Sequence, residues 1–161
     1  MNKIILIGLW AGLAMSCRSG NQFKTGDPMP AIHMLTADSL PFNSDQIAAG
    51  RYTVVMYFRT DCIHCQKETI NILKAGPFLK DLNILFLTPK SVRDLKQYAV
   101  FYKLGDYPNI KALNDKQLDF FRYYKPTSIP FIVIYNRQNL LHRIYEGPVP
   151  VDSLKKLIAD K

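Results

Sequence analysis

The chain is poor in cysteine, in tryptophan and in long apolar runs. Its 161 residues hold three cysteines (Cys17, Cys62 and Cys65) and one tryptophan, Trp10. Small secreted domains held by disulfides spread several cysteine pairs over long loops, and three cysteines cannot do that. There is no second Cys-x-x-Cys, and His33, His64 and His142 stand singly. The four ligands of a closed zinc site are therefore not supplied, and we assign neither metal nor cofactor. No internal repeat, low-complexity tract or long block of like charge occurs, which excludes solenoids and low-complexity tails. A body of about 140 residues buries roughly two-thirds of its unfolded surface and needs no staples to fold.

The N-terminus has a distinct character. Lys3 precedes an apolar run from Ile4 to Ala14, followed by Met15, Ser16 and Cys17. A basic residue, about ten apolar residues and a small residue before a cut compose an export signal. The run is too short to span a bilayer comfortably. We read residues 1–16 as a signal peptide, 17–25 as a tether and 26–161 as one domain. Ala14-Met15-Ser16-Cys17 resembles a bacterial lipobox, with Cys17 the lipidated first residue of the mature chain. It departs from the usual pattern in having Ala14 where leucine is preferred and Met15 where a small residue is preferred. Ala14-Met15-Ser16 also reads as an ordinary cleavage site, which leaves Cys17 unlipidated and the protein secreted and soluble. Lipidation is the favoured reading because residues 18–25 are mostly small or polar and have little to bury. The expected location is then the periplasmic face of a bacterial membrane, held by several acyl chains. The absence of an acidic run after Cys17 agrees with that face and leaves inner and outer membrane open.

The formal charge is +8, but the lysines and arginines are dispersed and no recognition motif accompanies them. Nucleic acid is not an expected partner, and solubility is sufficient reason for the charge.

Cys62 and Cys65 form one Cys-x-x-Cys. A bridge across two residues closes almost no loop, so its stabilisation would be small. A pair this close in an oxidising compartment is chemical rather than structural. The surrounding pattern is α/β. Residues 52–58 are a continuous β-branched and aromatic run, fit for a strand buried on both faces. Cys62 follows almost at once, at the start of a helix to Lys74 with Asp61 as N-cap and Ile63, Ile70 and Leu73 as apolar spacing. Gly76-Pro77 breaks it. Residues 83–88 are a second strand, and Ser91 caps a helix to about Lys103. An extended piece near Ile110 to Leu113 precedes a short helix with Leu118, Phe120 and Phe121. Residues 131–135 are a buried strand, 136–139 a turn, 140–146 its partner, and 151–159 a final helix. Strands alternating with helices, then a hairpin and a helix, predict a mixed sheet flanked by helices.

Four segments together resemble the thioredoxin superfamily, specifically its exported TlpA/ResA-type proteins. Gly26-Asp27-Pro28-Met29-Pro30 resembles the opening of that family's N-terminal hairpin. The buried strand leading into Cys62-Ile63-His64-Cys65 is similar to its redox motif, and Ser128-Ile129-Pro130-Phe131 to its cis-proline segment. The hairpin from Ile132 to Gly147 resembles its closing strands. The resemblance spans roughly residues 26–160. It implies a thioredoxin fold with a short N-terminal hairpin, and thiol–disulfide exchange with exported proteins bearing cysteines, supported by a redox partner.

A helix N-terminus carries partial positive charge and unpaired N–H groups that favour a thiolate, here Cys62. The resemblance assigns Cys65, the more buried cysteine in the family, to resolving the mixed disulfide. It gives His64 the task of stabilising the reduced thiolate, as in disulfide isomerases and strong oxidases. It makes Pro130 a cis proline facing the cysteines, with Ile129 pairing backbone groups with an extended client. Asp61 acts against His64, because a carboxylate beside Cys62 disfavours the thiolate. Two family features are missing. Met56 stands where many thioredoxins place a buried acid, and Asp61 where a tryptophan usually precedes the motif. His142 is expected at the surface or half-buried, and the Phe120, Phe121, Tyr123 and Tyr124 cluster in the core.

Two other functions share parts of this pattern. A peroxiredoxin-like peroxidase expects Thr or Ser three residues ahead of the reactive cysteine, and Arg59 is there. A copper metallochaperone uses paired cysteines and a histidine, typically with wider cysteine spacing.

Overall fold

The computed structural model describes residues 23–159. The segment expected to be a signal peptide, Cys17 and most of the expected tether lie outside the described residues. The seven strands are β1 (His33–Thr36), β2 (Pro41–Asn43), β3 (Tyr52–Tyr57), β4 (Leu82–Thr88), β5 (Ile110–Asn114), β6 (Phe131–Tyr135) and β7 (Leu141–Glu146). The helices are α1 (Ile63–Lys74), α2 (Val92–Phe101), α3 (Asp119–Tyr124) and α4 (Val151–Ala159).

The strands make one mixed sheet in the order β2-β1-β5-β4-β3-β6-β7. β3, β4 and β5 run parallel, and all other pairings are antiparallel. Its centre is buried on both faces, as the apolar runs predict. Val54, Met56, Ile84, Phe86, Ile132 and Ile134 point into one core. Their alternates Val55, Tyr57, Leu85, Leu87, Phe131, Val133 and Tyr135 point into the other, following the two-residue period of a strand. The crossovers β3-α1-β4 and β4-α2-β5 step the same way across the sheet, so α1 and α2 share one face. There Ile72, Leu95, Tyr98, Leu154 and Leu157 join α1, α2 and α4 to the first core. α3 and the β1–β2 hairpin cover the second. This is the mixed α/β architecture with an N-terminal hairpin that the sequence predicts.

Three local expectations are corrected. The inward face of α1 is Cys65, Glu68, Thr69 and Ile72, whereas Ile63 and Ile70 are 57% and 40% exposed. Helical spacing holds, but two of the four inward residues are polar, so apolar periodicity pointed to the wrong face. Thr69 is accommodated because its hydroxyl donates to the Cys65 carbonyl at 3.0 Å and pairs with the Tyr98 hydroxyl at 2.7 Å. α2 starts at the Ser91 cap but ends at Phe101, and Lys103 beyond it takes the left-handed conformation at φ 51°. The aromatic cluster divides: Phe120 and Tyr124 are buried, whereas Phe121 and Tyr123 are exposed. His142 is half-buried, as expected, with its ring edge-on to Tyr52.

Phe120 stacks on Tyr57 with ring centroids 4.9 Å apart. Phe120→Ala is expected to lower unfolding stability by about 3–5 kcal/mol. Phe121→Ala should cost under about 1 kcal/mol. Denaturant unfolding of both variants checks this.

Candidate active site

The parallel strands end together at one edge of the sheet, and the loops leaving that edge build the site. β3 is followed by Phe58, whose N–H donates to the Leu87 carbonyl at 3.0 Å. The chain then turns through Arg59, Thr60 and Asp61, closed by the Cys62 N–H on the Arg59 carbonyl at 3.1 Å. Cys62 is extended (φ −93°, ψ 114°) and is itself the N-cap of α1. Its Sγ accepts the Cys65 N–H at 3.3 Å, and its carbonyl accepts the Gln66 N–H at 3.0 Å.

Asp61 is therefore not the cap. The cap position needs a short side-chain acceptor directed back at the third helical N–H, and here the acceptor is sulfur. An ionised sulfur accepts that bond better than a thiol does, and it also faces the positive end of the helix dipole. Cys62 is partly exposed and Cys65 is fully buried, both as free cysteines. Burial, then the hydrogen bond with Cys62, push the Cys65 thiol up to about 12. One sulfur is thus presented at the surface on a helix cap, and its neighbour one turn on is kept protonated beneath it.

Asp61 is engaged elsewhere. Its carboxylate accepts Arg59 Nε at 3.0 Å and Nη2 at 2.8 Å, and Lys90 Nζ at 3.0 Å. The Arg59 bonds first, then Lys90, hold its carboxyl well below the usual carboxylate range. Two cations on one carboxylate leave the turn before Cys62 net positive. His64 lies exposed in the first turn of α1. The Ile129–Pro130 bond is cis. Pro130 is buried, and Ile129 is half-buried against both cores. Phe131, the next residue, pairs with Tyr57 at the end of β3, which places the proline segment beside the strand that delivers Cys62. Met56 is fully buried among apolar residues, so its place in the core is filled without an acid.

Sequence reading missed two residues. Glu68 is 1% exposed, and its Oε1 accepts the Val149 N–H at 2.8 Å, tying α1 to the segment before α4. Its position three residues after Cys65 was the available signal, overlooked because a glutamate is normally solvated. Lys90 was also missed. It follows Pro89 at the end of the strand next to β3, where a long side chain reaches the Cys62 turn. An open groove of about 410 Å³ adjoins the site, lined by Thr60, Asp61, Gln66, Tyr98, Phe101 and Tyr102 among others. Another of about 460 Å³ follows β7 and includes neither cysteine. Among the described residues, no three His, Cys, Asp or Glu side chains converge as metal ligands.

No family model matches this chain and no curated protein matches it in sequence. In three dimensions it is similar to a peroxiredoxin-like protein from Aquifex aeolicus, at 15% identity and a TM-score of 0.68, covering 86% of this chain and 90% of that one. A secreted Mycobacterium tuberculosis disulfide oxidoreductase homologous to Escherichia coli DsbE matches at 18% identity and 0.64, covering 80% and 94%. Copper-bound ScoI from Arabidopsis thaliana matches at 15% and 0.66, covering 84% and 97%. At such identities the likeness shows the fold, which is thioredoxin-like.

Burial raises the Glu68 carboxyl, against the Val149 and Asn71 bonds that favour its ionised form. Between its unfolded and folded values the native chain then binds more protons than the unfolded one, so stability falls as pH rises through that window. Glu68→Gln keeps an acceptor for Val149. We expect it to raise Tm at pH 8 and to lose that advantage at pH 4, with Asp115, also raised by burial, preserving part of the slope. Thermal unfolding at both pH values checks this, and an equal gap at both would contradict it.

Proposed function

We propose that this chain is a thiol–disulfide oxidoreductase of the exported TlpA/ResA type, acting on exported proteins from the periplasmic face of a membrane through a lipid on Cys17. The observation that carries the reading is the Cys62 sulfur serving as N-cap of α1, with buried Cys65 one turn behind it.

In the reducing direction, the Cys62 thiolate attacks one sulfur of a client disulfide. The S–S bond breaks, the client's other sulfur leaves as a thiolate and takes a proton, and a mixed disulfide forms. Attack by Cys65 on the Cys62 sulfur then releases the client's second thiol, and the Cys65 proton passes to that departing sulfur or to solvent. The client gains two electrons and this chain ends with a Cys62–Cys65 disulfide, which a redox partner must reduce. The reverse sequence oxidises a client dithiol. Backbone groups at Ile129, beside the buried proline, are suited to holding an extended client strand across the cysteines. Surroundings as basic as Arg59 and Lys90, with His64 exposed nearby, favour the reduced thiolate and hence the oxidising or isomerising direction.

The peroxidase reading, which one structural neighbour invites, lacks its hydroxyl residue because Arg59 fills that place. The copper reading lacks a third convergent ligand among the described residues. A cuprous ion titration of the reduced protein distinguishes it: stoichiometric tight binding would favour it.

Cys62→Ser is expected to reduce insulin reduction and scrambled-substrate refolding to background. Cys65→Ser should instead accumulate a mixed disulfide with the substrate, visible on non-reducing gels. Both activities unchanged in Cys62→Ser would overturn the proposal.

A further inference from the structure

We propose that Lys90 is a positioning residue for the Cys62 nucleophile: held on the Asp61 carboxylate, its ammonium makes the turn before Cys62 net positive rather than neutral. The inference rests on the reading of Cys62 as the attacking sulfur.

Arg59 and Asp61 alone make a bidentate pair with no net charge. They lie two residues apart in the turn, with Arg59 Nη2 2.8 Å and Nε 3.0 Å from the carboxylate. Lys90 arrives from the neighbouring β4–α2 loop and adds a second cation at 3.0 Å. Its place is prepared by the fold. Asn114, 4% exposed at the end of β5, donates to the Thr88 carbonyl at 3.1 Å and to the Lys90 carbonyl. The Lys90 N–H donates to Thr88 Oγ1 at 3.3 Å. The Lys90 side chain is 31% exposed, less than the 52% of Arg59 and of Asp61. A lysine on a surface ion pair is ordinarily unconstrained, with its backbone serving no purpose in the contact. Here a buried asparagine fixes the backbone from which it reaches.

Among the described residues, other charged or titratable groups are carried by the elements packed at this end of the sheet. α1 contributes His64, buried Cys65 and buried Glu68. α2 and its C-cap contribute Tyr98, Tyr102 and Asp94, the last accepting the Ser91 hydroxyl at 2.8 Å. The Ser128-Ile129-Pro130 segment brings none. The two cations bonded to Asp61 are therefore the groups that set the sign of charge in the Cys62 turn. Removing one leaves that turn neutral, and Asp61, which both cations bind, directly precedes Cys62, so the charge is lost beside the residue that carries the sulfur. Because these groups are partly exposed, the effect is screened by salt.

The test is alkylation of Cys62 by iodoacetamide in the reduced full chain, read by mass on the Cys62-bearing peptide so that Cys17 does not interfere. At pH 7 and low ionic strength, Lys90→Met is expected to react about threefold to tenfold more slowly than wild type, with its pH–rate profile displaced to higher pH. The difference should shrink at 1 M salt. Lys90→Arg should match wild type, and Asp61→Asn should react faster. The double variant Asp61→Asn with Lys90→Met restores one net positive charge and should return to within about twofold of wild type. Should Lys90→Met misfold, Lys90→Gln, which also removes the charge and keeps a polar end, decides the matter by the same pH–rate profile and salt dependence. The inference is overturned if Lys90→Met follows the wild-type profile, or if its defect persists in Lys90→Arg and in high salt, which would mark a purely structural role. Failure of the functional reading is separate: it would appear as disulfide exchange that survives Cys62→Ser.

Discussion

One hydrogen bond organises the site: the Cys65 N–H to the Cys62 sulfur, closing the first turn of α1. A helix must find acceptors or water for its first N–H groups, and this one uses the side chain that can ionise. The bond therefore joins folding and chemistry. The same sulfur that closes the helix turn is the one presented at the surface. The cap requires the sulfur to be held in place over the first turn. β3 does this from the centre of the sheet, hydrogen-bonded on both sides and buried on both faces.

The elements around the cap serve the same requirement. Thr69 and Tyr98 pair beneath α1 and allow a polar face to be buried. Glu68 ties the helix to the segment before α4, at the expense of carrying a carboxyl out of water. Above them, Asp61 is bound by two cations from two different loops. The acid at the turn thus acts as a linchpin between loops, its negative charge outweighed by the two cations it binds. With Met56 in the apolar core, no acid stands at the position from which many thioredoxins relay a proton to the second cysteine.

Much of this was legible in the sequence, because it depends on periodicity and punctuation. The apolar runs of β3, β4 and β6 could only be buried strands. Ser91 capped α2 as its residue type demands, and the Ile129–Pro130 bond is cis as the resemblance implied. What was not legible depends on contacts remote in sequence. In the sequence Asp61 reads as a cap because it precedes a helix and has the right side chain. Only the approach of Arg59 and of Lys90, 29 residues on, shows where its carboxylate goes. The inward face of α1 was misjudged for a related reason: Glu68 and Thr69 are acceptable there only because Val149 and Tyr98 arrive from other elements.

The reduction potential of the Cys62–Cys65 couple, set by equilibration with glutathione buffers of known poise, tests the central claim most directly. A capped sulfur beside a net positive turn favours the dithiol form. The account therefore predicts a reversible two-electron couple lying above thioredoxin's value of about −270 mV. A potential at or below that value, or failure of the two cysteines to form a reversible disulfide, would contradict it.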